Sequence, residues 1–450
     1  MIRTTFVIMV SKLVRFLGKK IGRGSSLPGM VALYLDRNIL KKIKMPPYVI
    51  AVTGSNGKTS TVEMISYILQ QNGKTVAYNR EGSNQIEGVT TFLIDNCDLK
   101  GRIKTDVVLI ESDERYARYT FQKFHPTHYI ITNLYRDQLT RNGHPEWIYN
   151  LLQQSIHEDT TLLLNADDPL VSCFGLNHPK TVWFGVDRFS ESTDQCTSVY
   201  NDGAFCPNCK HPMEYRYHHY NHIGDYHCPH CGLEKHKTDY TVTSVDLDAG
   251  NFVINGKDSI SMRLKSIYNV YNILAAYSVC CMTGIDGDKI AQSIDNYTLK
   301  NGRVTTFQNG ALSGVLLSSK HENSISYDQS MRVALHHKGD CTVTIIVDAI
   351  SRKYFTSDTS WLWDVDFEML SAPHIKKIVL VGNYCHDLAT RFEYTGIDPQ
   401  KITMIQDIQQ AVDYQKEHGI GYQYVITCFS DKDKFLTKVQ QTKLEDAEAI

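Results

Sequence analysis

From Tyr48 onward the chain alternates short continuous apolar runs with longer amphipathic ones. YVIAVT (48–53), TVAY (75–78), DVVLI (106–110), HYIIT (128–132) and TLLL (161–164) are each closed by polar or glycine-bearing turns. Runs this unbroken suit strands covered on both faces, and hence a parallel sheet with helical crossovers. Near Ser190 the texture shifts to His, Tyr, Asn and Cys and stays so to about Asp239. The alternating segments TVTSVDL (241–247), NFVIN (251–255) and SISMRL (259–264) then predict strands returning to a sheet. A helical pattern follows over 268–284, with Gly284 as its stop. CTVTIIVDA, KKIVLVG, ITMI and YVITC alternate with helical segments after about Gln308 and predict a second α/β unit.

At the start, Met1–Lys20 sets an apolar patch (Phe6 to Val10) ahead of Lys12, Arg15, Lys19 and Lys20, as an amphipathic basic helix does. It has no small-residue cleavage site of the kind that ends a signal peptide. Two readings stand: a helix packed on the first domain, or one that touches a membrane transiently. The pattern thus divides into an N-terminal segment (1–46) packing on a central domain (47–305), an insertion at about 200–236, and a C-terminal α/β domain (306–450).

Composition narrows the class. With 450 residues, 42% hydrophobic and 21% charged, the chain can bury sizeable cores and is neither disordered nor collagenous. A formal charge of −2 offers no global attraction for nucleic acid. No apolar run approaches the ~20 residues of a membrane span. Of twelve cysteines, four stand in Cys-x-x-Cys pairs and eight are scattered in apolar context, which predicts a reduced, cytoplasmic setting.

The strand 48–53 runs into Gly54-Ser55-Asn56-Gly57-Lys58-Thr59-Ser60 and then an amphipathic helix. Glycines let backbone N–H groups curl around phosphate oxygens, and the helix N-terminus adds partial positive charge. Lys58 is placed to reach β- and γ-phosphates of ATP, and Thr59 or Ser60 to hold Mg²⁺. The full phosphate-loop pattern would need glycine where this chain has Val52. Glu111, just past the third strand, falls where open α/β sheets bind ligands and is the first choice as a Mg²⁺ ligand. Polar clusters at Asn133–Gln138 and Asn165–Pro169 close two more strands and fit either a site or turns and caps.

Cys206-x-x-Cys209 and Cys228-x-x-Cys231 present two pairs of thiolates, enough to close a tetrahedral Zn²⁺ site with no open position. Such a zinc ribbon is structural: it replaces a core that a short insert cannot build alone. With four thiolates completing the shell, the surrounding histidines (218, 219, 222, 227, 230) are expected to be ordinary loop residues.

TGSNGKTS, the glutamate after the third strand, ITN…RDQ, LNADDP, YNVYNILAA and Asn301-Gly302-Arg303 resemble the Mur ligase superfamily, ATP-dependent amide-forming enzymes of peptidoglycan synthesis. The resemblance implies an α/β fold with a Mur-ligase-like central P-loop domain and a Rossmann-like C-terminal domain. It implies that Lys58 and Thr59 hold phosphates and Mg²⁺, that Glu111 binds Mg²⁺, that Asn269 and Asn272 lie near the nucleotide, and that Arg303 contacts the γ-phosphate.

The cysteine insert, GRGSSLPGMVALYLDRNIL near the start, and DTSWLWDVDFE at 358–368 narrow this to a resemblance to the MurT family, the Mur-ligase-like subunits of lipid II isoglutaminyl synthases. That implies amidation of the D-glutamate α-carboxylate of lipid II, with ammonia from a separate glutaminase subunit of GatD type in a heterodimer. It also implies that Asp358 orients the catalytic histidine of that subunit; Asp364 is the reserve candidate. Any membrane contact would be peripheral, through the lipid substrate. Cys385 and Cys428 lack a nucleophile elbow and are read as buried thiols. The stretches 318–323 and 348–357 depart from the family wording, leaving room for an acceptor other than lipid II or for a nucleotide-binding scaffold.

Overall fold

The computed structural model describes residues 2–20, 24–79, 84–263, 265–297, 304–350 and 358–442. It divides into two compact units. The first comprises residues 1–134, 145–197 and 201–298; the second draws 135–144 and 198–200 together with 299–450.

In the first unit, α1 (Ile2–Lys20) and α2 (Leu27–Leu35) precede β1 (Tyr48–Thr53), α3 (Lys58–Gln71), β2 (Val76–Tyr78), α4 (Ile86–Asn96), β3 (Val107–Glu111), β4 (His128–Ile131), β5 (Thr161–Asn165) and β6 (Thr181–Val186). A hairpin of β7 (Glu214–Tyr220) and β8 (Ile223–His227) follows, then β9 (Tyr240–Asp246), β10 (Asn251–Ile254) and β11 (Asp258–Ser261). Nine strands form one sheet in the order β11-β10-β9-β6-β5-β4-β1-β3-β2. Pairing is parallel from β2 across to β9 and antiparallel at β10 and β11. The apolar runs are covered on both faces, as their lack of alternation requires: Val49 to Val52 are all buried. Val7 and Ile8 of α1 join the same core as α2, α4 and the sheet. The helix Ile267–Met282, almost wholly buried, packs on α3.

The second unit holds β12 (Val304–Asn309), β13 (Leu312–Ser319), β14 (Cys341–Ile346), β15 (Ile375–Val381), β16 (Ile402–Ile405), β17 (Tyr422–Cys428) and β18 (Gln440–Gln441). The order is β16-β15-β14-β17-β13-β12-β18, parallel from β16 to β13 and antiparallel at β12 and β18. β14 is buried along its whole length, as befits a central strand. Both sheets are therefore mixed, each with a parallel centre and an antiparallel edge. Among the described residues no helix is long and apolar enough to cross a membrane.

Candidate active site and thiol cluster

β1 delivers the chain into a tight turn in which Gly54 (φ +134°) and Gly57 (φ +83°) adopt backbone conformations that L-residues rarely enter. A Cβ on Gly54 would meet Thr132 Oγ1 at 2.3 Å, and one on Gly57 would meet Asn272 Oδ1 at 2.0 Å. Space as well as torsion thus demands glycine at both places. The turn is braced from β4: Asn133 C=O accepts from Ser55 N–H at 2.9 Å, and Asn133 Oδ1 accepts from Asn56 N–H at 2.8 Å. Thr132 Oγ1 donates to Asn56 C=O at 2.9 Å. The first amide to bond within α3 is Thr61 N–H, to Gly57 C=O at 2.9 Å. The amides of Lys58, Thr59 and Ser60 therefore stand ahead of the helical ladder, in the position that favours an anion.

Lys58 Nζ pairs with the buried carboxylate of Glu114 at 3.0 Å and also donates to Gly54 C=O. Glu111, at the end of β3, lies in register with Val52 of β1, two residues before Gly54. Its backbone is held by Asn79 through bonds of 2.8 and 2.9 Å. Its carboxylate makes no hydrogen bond or ion pair among the described residues, and it is half-buried. A hard cation with few protein ligands would suit such a group. Asn269 is buried in the first turn of its helix, its N–H donating to the cap Ser266 Oγ at 3.3 Å, while Asn272 reaches the Gly57 turn. Arg303, with Asn301 and Gly302, lies outside the described residues.

Cys206, Cys209, Cys228 and Cys231 converge, their Sγ atoms all within 4.8 Å of one another. Cys206 and Cys231 are 3.6 Å apart and Cys209 and Cys228 3.5 Å. A tetrahedral Zn²⁺ with bonds of about 2.3 Å has sulfur–sulfur edges of roughly 3.8 Å, so the donor set fits that ion. Burial pushes the Cys206 thiol up to about 12, while the Leu233 N–H draws Cys231 down to about 6. Around these thiols Cys206, Tyr226, Cys228 and Leu233 form only a small core.

Three of the five nearby histidines are not the ordinary loop residues expected, whereas His230 is exposed and His227 half-buried. His218, His219 and His222 are buried, and two of them tie the insert to the main sheet. Burial drives His219 down to about 4, so it is neutral. Its Nε2 bonds Val186 C=O at 3.1 Å and its Nδ1 meets Ser192 Oγ at 3.0 Å. His222 lies 3.8 Å from the fully buried Asp168. Burial opposes its imidazolium, but the bond to Asp168 and that charge outweigh burial and raise its pKa.

The LNADDP cluster is likewise resolved into structure. Asp168 caps the short helix at Pro169–Ser172 and accepts from Leu134 N–H at 2.9 Å. Asp167 forms an ion pair with Lys235 Nζ at 2.7 Å and accepts from Tyr271 Oη at 2.5 Å and Val186 N–H at 2.7 Å. Burial opposes the Lys235 charge, but Asp167 overrides it and lifts the pKa. A buried ion pair thus joins the cysteine insert to the residue beside Asn272. No short-range signal announces it, because Asp167, Lys235 and Tyr271 are far apart in the chain.

In the second unit Asp137 is buried and paired with Lys320, and it accepts from Asn323 Nδ2 at 2.8 Å. Arg136 pairs with Asp364 at 2.9 Å and lies over the Tyr200 ring at 4.5 Å. This explains why the two short stretches 135–144 and 198–200 group with that unit. Asp366 N–H donates to Asp328 Oδ1 at 3.0 Å. Burial raises both pKa values, helped by the Asp366 charge at Asp328 and by the Glu368 charge at Asp366. Asp358 is exposed, and its Oδ1 accepts from Ser360 N–H at 2.8 Å ahead of the 3₁₀ turn Ser360–Asp364. Trp361 is buried there, whereas Trp363 is exposed and packs edge-on against Tyr394. Residues 351–357, most of the departing stretch before Asp358, lie outside the described residues. Cys385 and Cys428 are buried, and Cys428 donates to Asp431 at 3.3 Å with its thiol pushed up to about 12 by burial, a protonated and unreactive state.

A sheet with a parallel centre, whose strand β1 enters a glycine turn with a lysine at the helix start beside a glutamate ending β3, is a phosphate-binding α/β site. The Mur ligase middle domain matches residues 52–205 and the MurT ligase C-terminal domain matches 321–431. The chain belongs to the MurT family. It is 30% identical over 407 residues, 90% of each chain, to the lipid II isoglutaminyl synthase (glutamine-hydrolyzing) subunit MurT of Staphylococcus aureus. Its identity to the Streptococcus pneumoniae subunit of the same name is 29% over 436 residues, 95% of each chain. Among solved structures, a pseudomurein peptide ligase type C from Methanothermus fervidus superimposes with a TM-score of 0.67 at 21% identity, covering 89% of this chain and 79% of that one.

Proposed function

We propose that this chain is the ATP-using subunit of a lipid II isoglutaminyl synthase, working in the cytoplasm with a separate glutaminase of GatD type. The observation that carries the proposal is the glycine turn opening on α3, with Lys58 at its mouth and the uncommitted Glu111 carboxylate beside it in register. A carboxylate resists attack by an amine, so it must first be activated. One oxygen of the D-glutamate α-carboxylate attacks the γ-phosphorus of ATP, ADP departs, and an acyl phosphate forms. Ammonia then attacks the acyl carbon, phosphate leaves with the C–O electron pair, and a proton is lost to give the D-isoglutamine amide.

Lys58 and the α3 N-terminus would bind and orient the phosphates, and Asn269, Asn272 and Arg303 would border the nucleotide. A Mg²⁺ held by Thr59 and Glu111 would offset charge on the phosphoryl oxygens. Zn²⁺ on Cys206, Cys209, Cys228 and Cys231 would be structural, since four thiolates leave no position for water. Free ammonia is scarce at neutral pH, which gives the glutaminase its purpose. Asp358, exposed at the edge of its 3₁₀ turn, would present its free oxygen to the partner's catalytic histidine.

A second reading, in which another carboxylate is the acceptor, is favoured by Ser318-Ser319-Lys320-His321-Glu322-Asn323 standing where the family has an Asn-Pro-x-Gly turn. The test is amide formation from glutamine, ATP and lipid II by the chain with its glutaminase. Lys58→Ala should lower amidation by about a hundredfold or more. Asp358→Asn should chiefly lower glutamine hydrolysis, and undiminished hydrolysis in that variant would refute the relay.

A further inference from the structure

Helix α1 carries two apolar faces, of which the protein uses one. Val7, Ile8, Ser11 and Gly18 are buried, and Val7 and Ile8 sit in the main core. This inner side is tied down: Ser11 Oγ donates to Pro28 C=O at 3.1 Å, and Lys12 Nζ donates to Asp95 C=O at 3.0 Å. Arg15 pairs with Asp95 at 3.5 Å, and Arg3 donates to Leu35 C=O at 2.9 Å. The helix is therefore fixed in orientation. Its opposite side presents Ile2, Phe6, Met9, Leu13, Phe16 and Leu17, with exposures of 90, 53, 46, 59, 62 and 54%. At 3.6 residues per turn these six fall within an arc of about 100° and centre roughly opposite the buried residues. On α2, packed beside it, Met30 and Tyr34 are exposed one turn apart.

A row of six large exposed apolar side chains on an immobilised helix exceeds the scattered singles of an ordinary surface. Charge says what would cover it. Residues 1–44 carry ten basic side chains and one acid, Asp36, in a chain whose formal charge is −2. α1 itself has no acidic residue, and it ends in the exposed pair Lys19 and Lys20, with Lys20 Nζ 5.2 Å from the Phe16 ring centre. Apolar bulk on one arc with cations at its border is the make-up of a helix that lies in the plane of an anionic bilayer. α1 cannot span one, being 19 residues long with five cationic side chains.

We propose that α1 docks the protein on the surface of an anionic phospholipid membrane, its outer arc entering the headgroup boundary while its inner arc stays in the core. The inference deepens the proposed function, on which it rests only for its purpose: a lipid-linked acceptor is confined to that surface.

The experiment is co-sedimentation of the purified complex with its glutaminase on vesicles of phosphatidylglycerol or of phosphatidylcholine. Binding should be about tenfold or more stronger on phosphatidylglycerol. The exposed-face variant Phe6→Ser/Leu13→Ser/Phe16→Ser and the charge variant Lys19→Gln/Lys20→Gln should each lose about tenfold of it. Both variants should keep the wild-type melting temperature and the amidation of detergent-solubilised lipid II. Equal binding to the two lipids, or undiminished binding by the exposed-face variant, overturns the proposal. So does release of the glutaminase or a change of oligomeric state in that variant, which would mean that protein covers the arc. Should wild type bind vesicles yet amidate nothing in detergent, the docking stands and the lipid II reading falls.

Discussion

Lys58, the side chain proposed to bind phosphate, is held at 3.0 Å by Glu114, a buried carboxylate. Breaking a buried pair leaves an uncompensated charge, whereas a bound phosphate can replace the lost partner. Glu114→Gln should therefore melt lower than wild type when empty and gain more from ATP, so that the two proteins draw together at saturating nucleotide in a melting experiment. Equal ATP-induced shifts would show that Glu114 and phosphate do not share the lysine.

His219 gives a pH dependence of definite sign. Its folded pKa of about 4 lies below the ordinary 6.5, so its contribution is fully present above 6.5 and is lost as pH falls toward 4. The full difference is about 3 kcal/mol. His219→Gln should flatten the loss of stability between those pH values, read from denaturant unfolding at each pH. Lys58 and the four cysteines are legible in the sequence because their spacing is local. Glu114, His219 and the Asp167–Lys235 pair are not, because their meaning depends on partners that only the fold brings near.

The continuous apolar runs identified the parallel strands because a strand buried on both faces cannot alternate. The strands of both sheets at YVIAVT, DVVLI, CTVTIIVDA and YVITC form where the pattern places them. α1 forms as the amphipathic pattern predicts, but periodicity could not reveal that it has a second apolar arc facing outward. The cysteine insert was legible as a metal-sized module and not as an anchored one. Its hold on the sheet runs through Lys235, His219 and His222, none of which carries a spacing signature. Because the insert's own core is small, metal should supply much of its order. Elemental analysis should find one zinc per chain. A strong chelator should lower the melting temperature by several degrees and raise hydrogen exchange over 206–231 first. Unchanged exchange there after zinc removal would show that the ion pair alone holds the insert.

Across the whole molecule, two mixed α/β units divide the chain, and the second recruits residues 135–144 and 198–200 from within the first unit's sequence. Arg136–Asp364 and Asp137–Lys320 are among the contacts that hold one of these excursions in that unit. A reading along the chain sees only contiguous domains and has no means to find such borrowing. The chemistry proposed for this architecture is an acid made reactive by a phosphoryl group. The most direct test is ADP release by the chain with its glutaminase, measured against amide formed, with lipid II and glutamine present. One ADP per amide, with both abolished by Lys58→Ala, is the expected result. Amide without ADP, or no ADP with lipid II or any other carboxylate acceptor, would contradict it.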